Sequence, residues 1–398
     1  MEAADADSGR RSNGQKMKIL YVIDSLASRG GAERIVTEKM NYLAEKYGHE
    51  VSVVTCYQVV SLTPNAYPLS SRVRQLCLGI PFYSQYSVKF PRRLLVKWQL
   101  RKRLVRELTK TVQDADPDIL VGLSYFSADV VCNIRCRAAK VIESHDARPF
   151  TLQQQGLSRS RLSEAYMECF RRHYFRQIER KADVVVTLTR GDAREWAAAR
   201  RVEVIPNFSV MPIEAFSTGE EKRVLAVGRL EWQKGFDLLI DAWAKVVGRG
   251  QRDWRLDIIG SGSLEAELRK RISDRGLDNV TIKPFTPQIG REYARSSLFV
   301  LSSRFEGFSL VLLEAMRHGV PCVSFDCPYG PSDVLADGQC GLLARNGDTE
   351  DLAEKIGRLI NNEPLRRQYA TAAIERAKVF DTKEIMGRWQ ILFEDLAR

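Results

Sequence analysis

The stretch SSRFEGFSLVLLEAMRHGVPCVSF, residues 302–325, combines a glycine-containing turn, an apolar helix and a buried strand. Its leucine-rich spacing predicts a helix over residues 310–318 that ends at Gly319, and the apolar run from Pro321 predicts the strand that follows. Short buried strands that alternate with amphipathic helices are typical of parallel sheets covered by helices. The segment therefore indicates an α/β fold.

Two carboxylates, Glu306 and Glu314, flank the start of this predicted helix. Ser309 is a favourable N-cap residue, so we expect it to cap the helix, whose first amide groups can hold an anion. Glu314 lies among leucines, where an unpaired charge would cost several kcal/mol. We therefore expect a ligand hydroxyl to hydrogen-bond to Glu314.

The same alternation of apolar runs and amphipathic stretches continues to both ends of the chain. In the first half it predicts strands over residues 18–23, 51–56, 73–78, 118–123, 140–143, 184–188 and 202–205, and helices over 32–46, 92–112, 161–181 and 191–199. In the second half it predicts strands over 223–227, 255–259, 280–283, 298–301 and 321–324, and helices over 236–247, 264–275, 288–295, 310–318, 349–361 and 365–378. Each half is predicted to be a doubly wound sheet, which binds ligands at the carboxyl ends of its strands.

The length of 398 residues exceeds that of a single hydrophobic core, so we expect two domains that face each other across a cleft. Residues 1–16 have no apolar pattern and are interpreted as a disordered leader or an expression remnant. Residues 17–207 are predicted to form the first domain and residues 208–380 the second, with a proline-containing hinge after residue 205. Residues 381–398 are predicted to carry an amphipathic helix that packs back on the first domain.

Composition indicates a folded cytoplasmic protein, with 44% hydrophobic and 28% charged residues. No run of eighteen or more uncharged apolar residues occurs in the sequence, which argues against a membrane span. The eight cysteines lie among apolar residues without CxxC spacing. We interpret them as reduced thiols and not as disulfides or zinc ligands.

The net charge of +11 is concentrated in residues 89–110, where nine Lys or Arg residues stand against Glu107 alone and Trp98 is included. A basic amphipathic helix of this kind suits an anionic membrane surface, so we predict peripheral association with the inner face of the membrane. The alternative is a solvated helix face that also packs on its own domain. A second basic cluster over residues 171–181 favours the membrane or an anionic acceptor, and we expect no nucleic-acid partner because no matching motif occurs.

Three features that can hold an anion follow predicted strands: a pair of cations, a helix start and a pair of glycines. They are Arg229 with Lys234, Ser309, and Gly30 with Gly31. Together they can neutralise a diphosphate without a metal ion. Taken singly, the cations could be surface residues, the glycines could serve backbone angles alone, and Glu306 could only cap a helix.

Residues 17–398 resemble the retaining family 4 glycosyltransferases of the GT-B fold. The resemblance is carried by GGAER at 30–34, ESHD at 143–146, IPN at 205–207, VGRLEWQKGFDLLIDAW at 227–243, IIGSGSLEAEL at 258–268 and EGFSLVLLEAM at 306–316. It implies two Rossmann-like domains: an N-terminal acceptor-binding domain and a C-terminal nucleotide-sugar-binding domain. It also implies transfer of a hexose or N-acetylhexosamine, usually from a UDP-sugar and with retained anomeric configuration. The implied acceptor is a glycan or a polyprenyl-diphosphate-linked saccharide of cell-surface polysaccharide assembly.

The resemblance further implies a role for each matching residue. Glu306 binds hydroxyls of the donor sugar, Glu314 binds the ribose, and His145 lies near the transferred sugar and the acceptor, although an isolated histidine is more often structural. The implied donor-binding set is Gly30, Gly31, Arg229, Lys234, Glu306, Gly307, Phe308, Ser309, Leu310 and Glu314, and the implied catalytic set is Arg229, Lys234, Glu306 and His145. No metal or cofactor is implied. Asp333 stands where the family usually has glutamate, and we leave it outside the site.

In the implied mechanism, the departing β-phosphate takes the proton of the acceptor hydroxyl, and no carboxylate acts as a general base. Arg229 and Lys234 would stabilise the charge that grows on that phosphate. The alternatives are a sugar-nucleotide epimerase or phosphorylase on the same fold, and a non-catalytic partner subunit of an active transferase. A nicotinamide oxidoreductase is disfavoured, because no GxGxxG motif follows the first strand.

Overall fold

A computed structural model describes residues 16–59, 62–89, 92–123, 128–149 and 161–398. The leader predicted over residues 1–16 lies outside the described residues except for Lys16, as do residues 90 and 91 of the basic segment. In the described residues, two parallel sheets carry helices on their faces. The predicted α/β architecture of two doubly wound, Rossmann-like units is confirmed.

The first sheet has seven strands in the order β3-β2-β1-β4-β5-β6-β7, so the chain moves outward in both directions from β1. Its strands are β1 Lys18–Ile23, β2 Glu50–Thr55, β3 Arg74–Cys77, β4 Ile119–Leu123, β5 Ala139–Ser144, β6 Val184–Thr187 and β7 Val202–Val204. Tyr21 of β1 pairs with Val53 on one side and Val121 on the other. We call this sheet and its helices the first lobe.

The second sheet has six strands in the order β10-β9-β8-β11-β12-β13. Its strands are β8 Arg223–Val227, β9 Arg255–Ile259, β10 Val280–Lys283, β11 Leu298–Leu301, β12 Cys322–Phe325 and β13 Leu342–Ala344. We call this sheet and its helices the second lobe. In both sheets the order reverses next to the first strand, and the residues after that strand therefore reach the crevice where such sheets bind ligands.

Helices cover both sheets. Those that follow strands of the first lobe are α1 Gly31–Glu45, α2 Arg92–Ala115, α3 Ala128–Asn133, α4 Arg161–Lys181 and α5 Arg190–Glu195. Those of the second lobe are α6 Phe236–Gly248, α7 Glu265–Asp274, α8 Ile289–Ala294, α9 Leu310–Arg317, α10 Pro331–Val334, α11 Thr349–Ile360 and α12 Glu363–Ala377, and the chain ends in α13 Thr382–Leu396. Short 3-10 turns lie at Phe82–Ser87, Trp232–Lys234 and Lys378–Phe380.

The strands are held by apolar residues that face both ways. In β1, Ile19 and Tyr21 join the core on one side of the sheet, whereas Leu20 and Val22 join the core on the other side. A strand buried on both faces has a near-continuous apolar sequence, and for this reason such runs predicted the parallel strands correctly. All eight cysteines are free in this structure.

The chain crosses between the lobes twice. The first crossing follows β7, where Phe208 packs in the first-lobe core and Met211 packs in a second-lobe core. The second crossing leads from Phe380, in the second-lobe core, into α13. Helix α13 then packs on the first-lobe core through Ile385, Trp389 and neighbouring apolar side chains.

Candidate functional site

The predicted site residues follow strands of both sheets and lie where the two carboxyl edges face each other. Gly30 and Gly31 follow β1 and His145 follows β5, while Arg229 and Lys234 follow β8. The remaining members, Glu306, Gly307, Phe308, Ser309, Leu310 and Glu314, follow β11 and enter α9. We call the space between these edges the cleft.

Glu306 and Lys234 form the centre of the second-lobe side. The Lys234 ammonium donates to Glu306 Oε1 at 2.7 Å, and the Ser303 hydroxyl donates to the same oxygen. Gly235 follows Lys234 with a φ of 61°, and a Cβ there would lie 2.1 Å from the carbonyl oxygen of Ser302. A glycine is therefore needed for the loop after β8 to pack against the segment that carries Glu306.

Arg229 is exposed and faces the first lobe. Its guanidinium donates to Gln233 at 3.4 Å, and its charge also reaches Glu33 across the cleft. Burial raises the pKa of the Glu33 carboxyl, whereas His145 and Arg229 act to lower it. Arg229 therefore lies exposed between the two lobes, where its guanidinium can pair with a bound anion.

Ser309 does not cap α9, and this prediction is wrong. Its backbone is left-handed, with φ 72° and ψ 68°, and no side-chain capping bond forms. An N-cap side chain reaches the helix amides from an extended backbone, so the left-handed conformation removes the geometry that capping requires. Helix α9 nevertheless starts at Leu310 as predicted, and Phe308 anchors the turn against Phe380 with ring centroids 5.5 Å apart.

Glu314 is buried as predicted, but its hydrogen bonds go to protein groups. Arg34 of the first lobe donates to Oε1 at 3.1 Å, and the Tyr293 hydroxyl donates to Oε2 at 3.1 Å. Arg34 and Tyr293 therefore satisfy both oxygens of Glu314 within the protein, and a hydrogen bond from a ligand hydroxyl to this carboxylate stays a prediction. Burial raises the pKa of the Glu314 carboxyl, while Arg34 and Tyr293 act to lower it.

The glycines of the site allow close approach of the lobes. Neither Gly30 nor Gly31 has a positive φ, so the explanation by backbone angles does not apply. A Cβ on Gly31 would lie 3.0 Å from the Leu310 side chain of the other lobe, and a Cβ on Gly307 would lie 2.2 Å from the carbonyl oxygen of His145. Side chains at these two positions would hold the lobes apart.

His145 is buried behind this contact. Its Nε2 lies 2.9 Å from Glu143 Oε2, and Glu143 also pairs with the Lys39 ammonium. Within the described part of the chain, His145 Nδ1 has no hydrogen-bond partner. Among the same residues, the histidine therefore uses one of its two ring nitrogens in a hydrogen bond.

Several contacts were not assigned from the sequence. Arg34, Lys39 and Tyr293 received no role, although Arg34 lies inside the GGAER motif that carries the resemblance. Lys39 could have been noticed because it interrupts the apolar face of α1, next to Val36 and Met40. Asp333, which was left outside the site, accepts a hydrogen bond from Arg190 of the first lobe at 2.8 Å.

The basic helix α2 has two faces. Leu104, Leu108 and Val112 are buried in the first-lobe core, as the alternative of a packed helix requires. Large apolar side chains are nevertheless exposed on its other side, namely Leu94, Leu95, Trp98 and Val105. Lys102 lies over the Trp98 ring at 3.9 Å. Among the described helices, none has the length and apolar content needed to cross a membrane.

Two family models divide the chain between them. The model of glycosyltransferase family 4 matches residues 29–208, and the model of glycosyl transferases group 1 matches residues 212–376. The boundary between the matches coincides with the first crossing between the lobes. All predicted site residues fall inside the two matched ranges.

Full-length relatives have modest identity. The amylovoran biosynthesis glycosyltransferase AmsD of Erwinia amylovora is 25% identical over 94% of this chain and 98% of its own. An alpha-1,4-N-acetyl-D-galactosaminyltransferase of Campylobacter jejuni, named for a PP-undecaprenol-linked saccharide, is 26% identical over 96% of this chain and 99% of its own.

The same architecture occurs in solved structures. A TarM variant of Staphylococcus aureus, in complex with Fondaparinux, alpha-GlcNAc-glycerol and UDP, superposes with a TM-score of 0.72 at 18% identity, over 95% of this chain and 100% of that one. At this identity the superposition establishes the fold.

Proposed function

Because the chain belongs to the glycosyl transferases of group 1 and family 4, with the GT-B fold, we propose that it transfers a hexose or N-acetylhexosamine from a UDP-sugar with retention of configuration. The proposed acceptor is a glycan or a lipid-linked saccharide of cell-surface polysaccharide or glycoconjugate synthesis. Glycosyltransferase activity follows from the family. The donor, the stereochemistry and the acceptor are the proposed part.

The observation that carries the proposal is the contact between Lys234 and Glu306. It joins the residue expected to hold a phosphate with the residue expected to hold the sugar, and it lies at the carboxyl ends of β8 and β11, which are neighbours in the sheet. A sugar attached to a diphosphate needs these two chemistries side by side. The start of α9 lies a few residues further and can offer backbone amides to the same anion.

Leaving-group stabilisation would come from fixed positive groups. Negative charge grows on the β-phosphate as the bond to the sugar breaks, so Arg229, Lys234 and the α9 amides would stabilise the transition state more than the bound donor. The acceptor hydroxyl would attack from the face that the nucleotide leaves and pass its proton to the β-phosphate. No metal ion is needed in this scheme.

The two glutamates and His145 would orient the donor. Glu306 would accept hydrogen bonds from sugar hydroxyls and Glu314 from the ribose, because ionised carboxylates only accept. His145 would face the transferred sugar. The name of the Campylobacter relative includes a PP-undecaprenol-linked saccharide, which supports a lipid-linked acceptor for this chain. The full-length similarity to AmsD supports a role in polysaccharide synthesis.

A lipid-linked acceptor fits the surface of α2, which we propose contacts an anionic membrane. Its exposed leucines and Trp98 lie towards the N-terminal end of the helix, and in a parallel α/β sheet that end lies on the same side as the strand carboxyl ends. The membrane would therefore meet the protein near the cleft. The flanking cations would add about 1 kcal/mol each at an anionic surface.

A donor screen tests the transfer. The purified chain is incubated with UDP- and GDP-sugars plus a polyprenyl-diphosphate-linked saccharide, with and without EDTA, and nucleotide release and product anomer are followed. We expect UDP release that depends on the acceptor, survives EDTA and gives a retained anomer. Release to water or phosphate, or epimerised donor without acceptor, would favour the epimerase or phosphorylase. No turnover with any donor would favour a partner subunit.

Vesicle sedimentation tests the membrane surface. Lys97→Gln and Lys102→Gln should each weaken binding to anionic vesicles about fivefold, the equivalent of about 1 kcal/mol, and Trp98→Gln should weaken it further. Leu62→Gln is the matched control, because Leu62 is 79% exposed on the first lobe but lies outside α2. Equal binding by all variants, or equal binding to neutral vesicles, would contradict the proposal.

A further inference from the structure

Three ionisable groups form a chain behind the cleft in the first lobe. The Glu143 carboxylate lies between the Lys39 ammonium and the His145 ring, and one oxygen, Oε2, contacts both. The side chains are 1%, 3% and 3% exposed for Lys39, Glu143 and His145. Burial of charge at this depth is costly unless the groups pair, and removal of one partner would leave the other uncompensated.

Lys39 is enclosed from its other side by aromatic rings. Its ammonium lies 3.8 Å from the ring centroid of Trp389, which belongs to α13, and 5.7 Å from that of Tyr21. Such contacts stabilise a desolvated cation. Burial lowers the pKa of the Lys39 ammonium, and the Glu143 charge acts to raise it. The last helix of the chain thus closes the back of the cluster.

The partners of Glu143 fix the protonation pattern of His145. Burial acts to raise the pKa of the Glu143 carboxyl, but Lys39 and His145 outweigh it, and the net pKa is lowered. An ionised carboxylate can only accept hydrogen bonds, so His145 Nε2 must be the donor in the 2.9 Å contact. In a neutral ring, Nδ1 is then an acceptor. Nδ1 is one of the buried side-chain atoms that have no hydrogen-bond partner in the described residues.

Nδ1 belongs to a residue that lies where the two lobes touch at the cleft. The turn at Gly307 of the second lobe packs against the His145 carbonyl oxygen. The His145 ring is also close enough to the carboxyl groups of Glu33 and Asp146 to act on their pKa values. We propose that Lys39 and Glu143 are positioning residues that hold His145 in the Nε2–H tautomer, so that Nδ1 accepts a hydrogen bond from a hydroxyl of the bound sugar. The substrate part of this inference rests on the proposed function.

NMR of the full chain with 15N-labelled histidine tests the tautomer without any need for activity. The chain has four histidines, and the His145 signals are assigned from a His145→Ala variant. We expect a protonated Nε2 and an unprotonated Nδ1 in the parent chain, and a changed tautomer distribution in Glu143→Gln. A protonated Nδ1 in the parent, or an identical spectrum in Glu143→Gln, would overturn the proposal.

A double-mutant cycle tests the consequence. Glu143→Gln should lower kcat about 10- to 100-fold, as for other partners that orient a functional histidine, with unchanged UDP affinity. In the His145→Ala background it should have no further effect. The same loss in both backgrounds would show a merely structural role and overturn the proposal.

A second variant covers the case in which Glu143→Gln does not fold. The double variant Lys39→Met/Glu143→Gln removes both buried charges and is then used in place of Glu143→Gln in the cycle. Lack of turnover in the parent chain would overturn the proposed function, while the NMR result would still decide the tautomer.

Discussion

Glu306 and Glu314 are both buried carboxylates of the second lobe, but their cations come from different places. Glu306 is paired at 2.7 Å with Lys234, which follows the neighbouring strand of its own sheet. Glu314 is paired at 3.1 Å with Arg34, which lies on α1 of the first lobe. The first pair persists whatever the distance between the lobes, whereas the second pair exists only when they touch.

This difference separates two tasks of the site. The groups proposed to hold the sugar and the phosphate are preorganised within one lobe, so they need no rearrangement when charge develops. The group proposed to hold the ribose is linked to contact between the lobes, because Arg34, one of its two hydrogen-bond partners, belongs to the first lobe. Donor binding and lobe position should therefore be coupled through Glu314 and not through Glu306.

Removal of the cation within the lobe should have the largest effect. We expect Lys234→Met to lower kcat by about 10²- to 10³-fold and to lower stability, since among the described residues Glu306 then keeps only its side-chain bond from Ser303. The double variant Lys234→Met/Glu306→Gln removes both charges and should regain stability but not turnover. Steady-state kinetics and thermal melts measure the two quantities. Recovery of turnover together with stability would show that Lys234 has only a stabilising role.

Separation of the lobes should have the next largest effect. A Cβ at Gly307 would meet the backbone of His145, which cannot yield as a side chain can, so Gly307→Ala should displace the lobes by roughly 1 Å and cost about 10²-fold in kcat/KM. Gly357→Ala is the control, because a Cβ on Gly357 of α11 would meet no atom within 4 Å among the described residues. Equal losses for the two variants would argue against close lobe contact during turnover.

Loss of the cation from the opposite lobe should change the pH dependence of donor binding. Arg34 acts to lower the pKa of the Glu314 carboxyl, so Arg34→Met should raise that pKa further. Binding of the ribose needs the ionised form, so KM for the donor should rise as pH falls, and in Arg34→Met this rise should begin at a higher pH. Arg190→Met, which removes the contact between the lobes at Asp333, is the control and should leave the profile unchanged. An unshifted profile in Arg34→Met would disconnect Glu314 from the donor.

The smallest effect is expected at the other oxygen of Glu314. Tyr293→Phe removes one hydrogen bond that lies within the second lobe, worth about 1 kcal/mol, so UDP affinity should fall roughly fivefold. Titration calorimetry with UDP measures the change, with the parent chain as reference. A loss greater than that of Arg34→Met at the same pH would reverse the order that the comparison predicts.

Secondary structure could be predicted closely because both sheets are parallel and buried. Strands such as β8 and helices such as α4 have the predicted bounds. Strand β13, with three residues, and helices α3 and α10, with six and four, were missed. Elements this short do not complete a periodic pattern.

The site was predictable where function depends on local motifs. Glu306 and Lys234 were both identified because each lies in its own motif after a strand. Arg34 and Glu314 are 280 positions apart in the sequence. Sequence patterns describe near neighbours, so they could not predict that these two residues are in contact. Ser309 was misjudged because N-cap preference describes an average backbone, whereas this turn is left-handed.

The return of α13 to the first lobe has a mechanical consequence. Two covalent tethers join the lobes, one after β7 and one after Phe380, and they are braced by Arg388, which donates to the carbonyl of Val204. With two tethers, one lobe can rotate relative to the other about the axis that joins the tethers, whereas rotation about other axes is restricted. Cleavage of the chain after residue 207 would not yield two independently folding fragments. The N-terminal fragment would lack α13, whose Trp389 completes the first-lobe core.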